Sequence, residues 1–524
     1  MGKCIRRKEQ ITMAHKYYLG VDIGTTAIKA ALFDDCGKKV LHHAQEYDLL
    51  KPTAQRVEQI PSVYWETFKT CVKKVMDGSG IDKELVEAFA MDSSAETIVF
   101  LDEDMQPLDN FYVWMDSRAE QEAVQINARF TPEEIMYATG QCPIDPVYPA
   151  TKILWFRKNK PELFEKIRMM FMCDDYILWH MSGQCVSHGS SWCTSYLWDI
   201  VKKDWWPEML DYLGITAHQL PRIRESGTPI GTILPEIADE LGLPHDLLLV
   251  VGGQDQCSGA IGVGNVVPGI FSESTGGALM VCTSAEAPVF DKNGCVPCNY
   301  NMIADSYMIQ AGAKGGILLR WLRDTLCREE MAAEEAGMGN AYDLMDQLAA
   351  ATPPGAEGLF LMPFFGGAGS PHPDIFGRGT LYGLSLGHTK GHIIRAFMEA
   401  LACNITKMLE YIEGLTGVEV TQIRCLGGGS LSPLWCQIKA DVTGRQVVTM
   451  KNTQDAACLG AAIIAGYGAG AWDSIADTAL KFAQVDKTYD PNPANRKVYD
   501  ILLKKYDTFI EATHGYTEEL ARME

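Results

Sequence analysis

Two β-prone runs, each broken by a short turn rich in glycine and hydroxyls and then resumed, occur in the two halves of this chain. In the first, residues 17–21 lead into Asp22-Ile-Gly24-Thr25-Thr26, and 29–33 resume as a strand. In the second, 269–273 and 278–282 flank Ser274-Thr275-Gly276-Gly277. A strand, glycine turn and returning strand read as a β-hairpin. The same device placed once in each half predicts two related α/β halves, each presenting its turn to a shared cleft. This restricts the possible folds more than any composition figure does.

Length agrees with this. At 524 residues the chain exceeds what one hydrophobic core supports. The expected division is a tail over 1–15, an N-terminal domain over 16–262 and a C-terminal domain over 263–524, with Met13 a candidate start. The formal net charge of -21 disfavours nucleic acid and anionic membranes as partners. No apolar run reaches the ~18 residues a bilayer span needs, and the basic first residues are not followed by a secretory core. The 16 cysteines are scattered. Cys295-Val-Pro-Cys298 has no second pair to complete a zinc site and reads as two unrelated thiols of a reducing, cytoplasmic compartment. His388 and His392 read as a loop residue and a helix start rather than as metal ligands.

Between the hairpins the pattern is α/β. Residues 40–44 can pair back on 29–33. Residues 62–76 read as an amphipathic helix, and 88–91 and 97–101 as strands on either side of Asp92-Ser-Ser-Ala-Glu96. Helices are expected over 118–129, 151–166 and 205–213, and a buried strand over 247–251. Residues 392–413 carry apolar side chains at helical spacing, with Gly414 as the C-terminal cap. A strand over 423–426 ends in Gly427-Gly428-Gly429. Residues 458–466 form a small-residue helix and 495–512 a terminal one.

Several residues carry chemistry. An aspartate at a strand end, Asp22, suits Mg²⁺, and the following glycine, hydroxyls and N–H groups suit phosphate. Lys29 adds charge or is a strand-edge lysine. None of the three glycine turns has the lysine-serine pair of a P-loop or the glycine spacing of a dinucleotide site. Asp255 follows a buried strand in Gly252-Gly253-Gln254-Asp255-Gln256. It is either a helix N-cap or the base that takes a hydroxyl proton late in phosphoryl transfer, for which a near-normal carboxylate pKa suffices.

Two longer segments are more specific. Gly379-Thr-Leu-Tyr-Gly383-Leu384, followed after a gap by His392-Ile-Ile-Arg-Ala396-Phe-Met-Glu399, resembles the C-terminal signature of the FGGY carbohydrate kinases. Val147-Tyr-Pro149-Ala-Thr-Lys152-Ile-Leu-Trp155-Phe-Arg-Lys-Asn159 resembles their other signature, with Val147 departing at its first position. Residues 17–29, 250–264 and Gly427 to Gly429 with Trp435, Ala440 and Asp441 resemble the family's phosphate, catalytic and adenine-side segments. The order holds from about residue 16 to 512, nearest to xylulokinase-like members. The resemblance implies two actin-like, ribonuclease-H-like domains around a central nucleotide and substrate cleft, ATP and Mg²⁺ as cofactors, and a homodimer as a family expectation. Residue by residue, it implies Asp22 for the metal and Gly24, Thr25, Thr26, Lys29, Thr275, Gly276, Gly277, Gly316, Gly428 and Gly429 for ATP. Asp255 is implied as the base.

The substrate side departs from the pattern. Where xylulokinases carry Gln-Met-His-Gly, Ala95 stands at the Met and Glu96 at the His. Where glycerol kinases have Arg-Glu-Thr, Ala95-Glu96-Thr97 keeps the Glu and loses the Arg. Where xylulokinases often show Gly-Glu-Arg-Thr-Pro, this chain has Gly367-Ala368-Gly369-Ser370-Pro371. Glu96, Trp114, Asp116, Asp255 and Gln256 form the expected hydroxyl-binding set, with Arg118 bracing Asp116. An acceptor-rich set suits a neutral sugar or polyol. The expectation is therefore an ATP-dependent ketopentose kinase. A glycerol, tetritol, other polyol or hexulose kinase is the alternative within the class, and an actin- or chaperone-like ATPase or a sugar sensor the alternative outside it.

Overall fold

The computed structural model describes residues 15–451 and 453–523. The expected tail falls outside them except for His15. The first hairpin is β1 (Tyr17–Ile23) and β2 (Ala27–Asp34), and β3 (Lys39–Glu46) extends it into an antiparallel meander. Helix α1 (Pro61–Ser79) follows. β4 (Val86–Ser93) and β5 (Leu248–Val250) then add in parallel on the other side of β1. The short strand Gly253–Gln254 pairs with the end of β4, and α2 (Asp255–Gly262) starts directly after it.

The second half repeats this plan. β6 (Ile270–Thr275), β7 (Ala278–Ala285) and β8 (Tyr307–Lys314) form an antiparallel meander. β9 (Gln422–Leu426) and β10 (Gln446–Met450) add in parallel beside β6, and α3 (Ala456–Gly468) follows. The order β3-β2-β1-β4-β5 thus recurs as β8-β7-β6-β9-β10. Each hairpin turn lies at the end of its sheet's first strand.

The helices that follow the fifth strands join the halves. α2 and α3 cross so closely that glycine is required at the contact: a Cβ on Gly262 would lie 1.8 Å from the Ala456 carbonyl oxygen, and one on Gly460 2.0 Å from that of Ser258. Strand alternation decides which residues face this pair. Leu19, Val21 and Ile23 pack with Tyr64, Phe68 and Val72 of α1, whereas Tyr18, Ala88 and Ala90 pack with Ile261, Leu459 and Ala462. In the same phase, Asp22 of β1 and Asp92 of β4 belong to the α2/α3 face.

Some expectations need correcting. The helix expected over 151–166 is Pro149–Asn159 and then a separate turn, Pro161–Phe164, because Lys160 precedes a proline and leaves the helical region (φ -136°, ψ 52°). The long helix runs Lys390–Thr416, with Gly417 rather than Gly414 in the left-handed capping conformation (φ 71°). The terminal helix is longer than expected, Pro493–Ala521. The run at 97–101 begins at Ile98 and belongs to a separate four-stranded sheet with Met169–Met172, Phe111–Tyr112 and Glu58–Gln59. Among the described residues every cysteine is a free thiol, Cys295 and Cys298 included, and no helix is long and apolar enough to cross a membrane.

Candidate active site

Strand register places a charged row across the α2/α3 face. Lys29 of β2 pairs with Asp22 of β1, Asp22 with Asp92 of β4, and Asp92 with Gly253. Lys29 Nζ donates to Asp22 Oδ2 at 3.0 Å, and the Asp22 charge, the largest influence on it, raises the Lys29 pKa. Lys29 therefore first neutralises Asp22, whatever charge it adds to a phosphate. Asp92 was not anticipated as a site residue. It is 0% exposed, and neither carboxylate oxygen has a hydrogen-bonding partner among the described residues. Burial, then Asp22 and Asp255, holds its carboxyl well above the usual range.

Asp255 lies two residues past Gly253, half-buried. It does not cap its helix: Gln254 is the cap residue and Asp255 the first helical one. A near-normal carboxylate pKa would suffice for a base, but Asp255 departs from one. Burial raises its pKa from 3.8 to about 7, with the charges of Asp22 and Glu96 adding to the rise. The Asp255 carboxylate therefore feels the charges of both Asp22 and Glu96. Gln256, half-buried, follows it on the helix.

The residues expected at phosphate form two groups. In the first turn Gly24 and Thr25 are half-exposed and Thr26 exposed, and Thr25 Oγ1 accepts from the Trp114 indole Nε1 at 2.7 Å. In the second half Gly276 and Gly277 are exposed at the β6–β7 turn, and the other glycines close on it. A Cβ on Gly316 would lie 2.1 Å from the Gly276 carbonyl oxygen, and one on Gly429 2.7 Å from Thr275 Cβ. Gly428 is exposed beside them. Thr275 is buried, and its hydroxyl donates to Glu273, whose other oxygen holds the buried Lys439 ammonium at 2.6 Å. The Thr275 side chain is thus bound into the floor of the turn, which leaves the exposed glycine backbone as the surface for a phosphate.

On the hydroxyl side the structure separates residues that the sequence grouped. Glu96 is half-buried, sits in the left-handed region (φ 64°), and has its pKa raised by burial. A non-glycine residue there costs of order 1 kcal/mol. The turn is held from beneath by Lys152, whose fully buried Nζ donates to the carbonyls of Glu96 (3.0 Å) and Val113 (2.8 Å). Burial lowers the Lys152 pKa from 10.5 to about 7. Trp114 follows Val113 and is tied through its backbone N–H to Thr97 Oγ1 at 3.1 Å. One amine therefore fixes the segments that carry Glu96 and Trp114.

The role expected for Asp116 has to be corrected. Asp116 is 0% exposed. Its Oδ1 accepts from the Arg118 backbone N–H and Nε, and its Oδ2 from Val57 N–H and Arg118 Nη2. A carboxylate has about four lone-pair sites, and all are taken. Asp116 and Arg118, the latter also bound to Glu58 at 2.6 Å and lying 3.8 Å from the Tyr112 ring centre, form a buried brace rather than a ligand surface.

A divalent cation suits this donor set. Mg²⁺ prefers carboxylate oxygens, keeps several waters, and needs only one or two protein carboxylates beside phosphate. Asp22 and the unpartnered Asp92 are carboxylates of that kind, side by side in the strand register. The described donors close enough for three direct bonds to one ion are instead His15, Asp35 and Cys36, beyond the opposite end of β2. The Asp22 face therefore suits a hydrated ion rather than a stripped one.

Comparison with known proteins agrees with this geometry. Residues 17–262 match the N-terminal domain of the FGGY family of carbohydrate kinases, and residues 274–469 its C-terminal domain. Xylulose kinase of Bacillus subtilis (strain 168) is 27% identical over 492 residues, covering 94% of this chain and 96% of its own. Gluconokinase of the same organism is 29% identical over 464 residues, covering 87% and 88%. The crystal structure of ligand-bound xylulose kinase from Lactobacillus acidophilus superposes with a TM-score of 0.88 at 25% identity, over 96% of this chain and all of that one. With a recurring five-strand plan, glycine turns at the corresponding strand ends and both family domains matched in order, this chain belongs to the FGGY family of carbohydrate kinases, a sugar phosphotransferase of the two-domain actin-like, ribonuclease-H-like fold.

Proposed function

We propose that the chain transfers the γ-phosphoryl group of ATP to a hydroxyl of a small, neutral, polyhydroxylated substrate, a ketopentose foremost, with Asp255 as general base. One observation carries this reading: strand register sets Asp22 of the first glycine turn beside Asp92 and Asp92 beside Gly253, so that the chain enters α2 at Asp255 within electrostatic reach of both Asp22 and Glu96. A base for this reaction has to stand where phosphate and hydroxyl meet.

The substrate hydroxyl is oriented by Asp255 and Glu96, with Trp114 walling the pocket and Gln256 beside the base. As the hydroxyl oxygen bonds to the γ-phosphorus, the bond from phosphorus to the bridging oxygen of ADP breaks, and the hydroxyl proton passes to Asp255. Gly24, Thr25 and Thr26 face the phosphates from one half, and Gly276, Gly277 and Gly316 from the other. Gly428 and Gly429 serve the nucleoside. Asp22 would hold Mg²⁺, whose charge would offset that of the phosphates when it is bound.

Electrostatics favour a neutral substrate. A carboxylate at about 5 Å from Glu96 or Asp255 meets a repulsion of roughly 3 kcal/mol at an effective dielectric constant of 20, and Lys152 below is spent on two backbone carbonyls. A gluconate-like acceptor is therefore disfavoured, although a gluconokinase is among the relatives. Glycerol, tetritols and hexuloses remain the other neutral candidates, because Glu96 replaces the residues usual in xylulokinases. A coupled ADP-release assay across D-xylulose, other ketopentoses, hexuloses, tetritols, glycerol and gluconate tests this. Stimulation by a ketopentose, reduced at least tenfold in kcat/KM by Glu96→Ala, is expected. Preference for gluconate, or turnover indifferent to every sugar, contradicts the reading.

A further inference from the structure

Asp92 is a buried carboxylate that the phosphoryl-transfer chemistry described above does not require. It continues the small-residue stripe Ala88-x-Ala90-x-Asp92 on the β4 face against α2 and α3. An alanine would fill that place without leaving polar atoms unpaired. Both Asp92 oxygens are instead buried with no partner among the described residues. The hydroxyl in its immediate environment belongs to Ser258, which already donates its proton to the Ala457 carbonyl at 2.8 Å. Strand register puts Asp92 beside Asp22, and the chain reaches Asp255 two residues after Gly253, its partner on the other side. Three carboxylates thus converge where the described pairing supplies one cation, Lys29, already committed to Asp22. A buried unpaired carboxylate is costly, and in proteins such a group is paired, binds a metal or stays protonated.

We propose that Asp92 is a second cation-holding carboxylate, which with Asp22 gives this chain a divalent-cation site that fills before nucleotide arrives. The cation is a hard divalent ion of the Mg²⁺ or Mn²⁺ type that keeps part of its water shell. The inference rests on the reading of Asp22 as the cation residue. It does not depend on the identity of the sugar or on Asp255 being the base.

The test is equilibrium binding of Mn²⁺ to the full, nucleotide-free protein, read from the decrease of the free Mn²⁺ electron paramagnetic resonance signal. The expected result is one Mn²⁺ per chain, competed by Mg²⁺, with affinity at least tenfold weaker in Asp92→Asn and in Asp92→Ser. Thermal denaturation with and without Mn²⁺ is the second readout, the ion stabilising wild type more than either variant. If nucleotide-free wild type binds no Mn²⁺, or if either folded variant binds it as tightly as wild type, the proposal is overturned and Asp92 is a structural residue. Because the first of these outcomes needs only wild type, a variant that fails to fold does not shield the idea. Kinase activity with intact sugar dependence but no nucleotide-free Mn²⁺ binding would remove the role of Asp92 while leaving the proposed function standing.

Discussion

Replacing Lys152 by methionine removes the amine beneath the Glu96 and Trp114 segments while keeping most of the side-chain volume. Two opposing quantities follow from the structure. The Glu96 and Val113 carbonyls lose their donor, at roughly 1–3 kcal/mol for each buried acceptor. Against that, the folded protein no longer has to bury an amine whose pKa falls from 10.5 to about 7, a displacement equivalent to roughly 5 kcal/mol. At pH 7 the two nearly cancel, so Lys152→Met is expected within about 2 kcal/mol of wild type. Between pH 7 and pH 10 the unfolded chain binds a proton at Lys152 that the folded chain does not. By linkage, wild-type stability then rises with pH relative to the variant, by about 1.4 kcal/mol per pH unit. Urea denaturation followed by tryptophan fluorescence at pH 7, 8, 9 and 9.5 measures the gap between the two proteins. A gap that widens with pH is the predicted result; parallel curves would refute the argument that Lys152 is held close to neutral. At pH 7 the variant should also raise the sugar KM more than the ATP KM, because the segments it frees carry Glu96 and Trp114.

Asp116→Asn should destabilise the protein by about 3 kcal/mol, since Arg118 then keeps a weakened buried partner, yet change the sugar KM by no more than a few-fold. A hundredfold rise in KM with unchanged stability would restore Asp116 as a ligand. With Asp255 raised to about 7, kcat/KM measured with both substrates well below saturation should climb tenfold per pH unit below about 7 and level off above it, because the base must be deprotonated. A flat profile from pH 5.5 to 8 contradicts that assignment.

Local signals made the scaffold legible. The hairpins at 22–29 and 275–278 and the glycine turns are set by residues adjacent in sequence, so their positions could be read directly. The break at Lys160 is also written locally, in Pro161, which keeps the residue before it out of the helical region. The site was harder to read, because burial and partners come from elsewhere in the chain. Asp116 reads as a hydroxyl ligand braced by Arg118 until Val57, far upstream, supplies an N–H that takes up the remaining acceptor capacity. Asp92 reads as the start of a turn between two strands, yet β4 continues through it. The alternation Ala88-x-Ala90-x-Asp92, in phase with Gly20-x-Asp22 beside it, was the signal that could have found it. The acidity of Asp255 depends on burial first and then on Asp22 and Glu96, which come into its reach only in the fold.

The most direct test of the account is Asp255→Asn, assayed for sugar-dependent ADP release and, separately, for nucleotide binding by calorimetry. The account predicts that ATP binding stays within a few-fold of wild type while kcat falls by about 10² or more, the range for a lost general base. Near-wild-type turnover in a folded variant would contradict it.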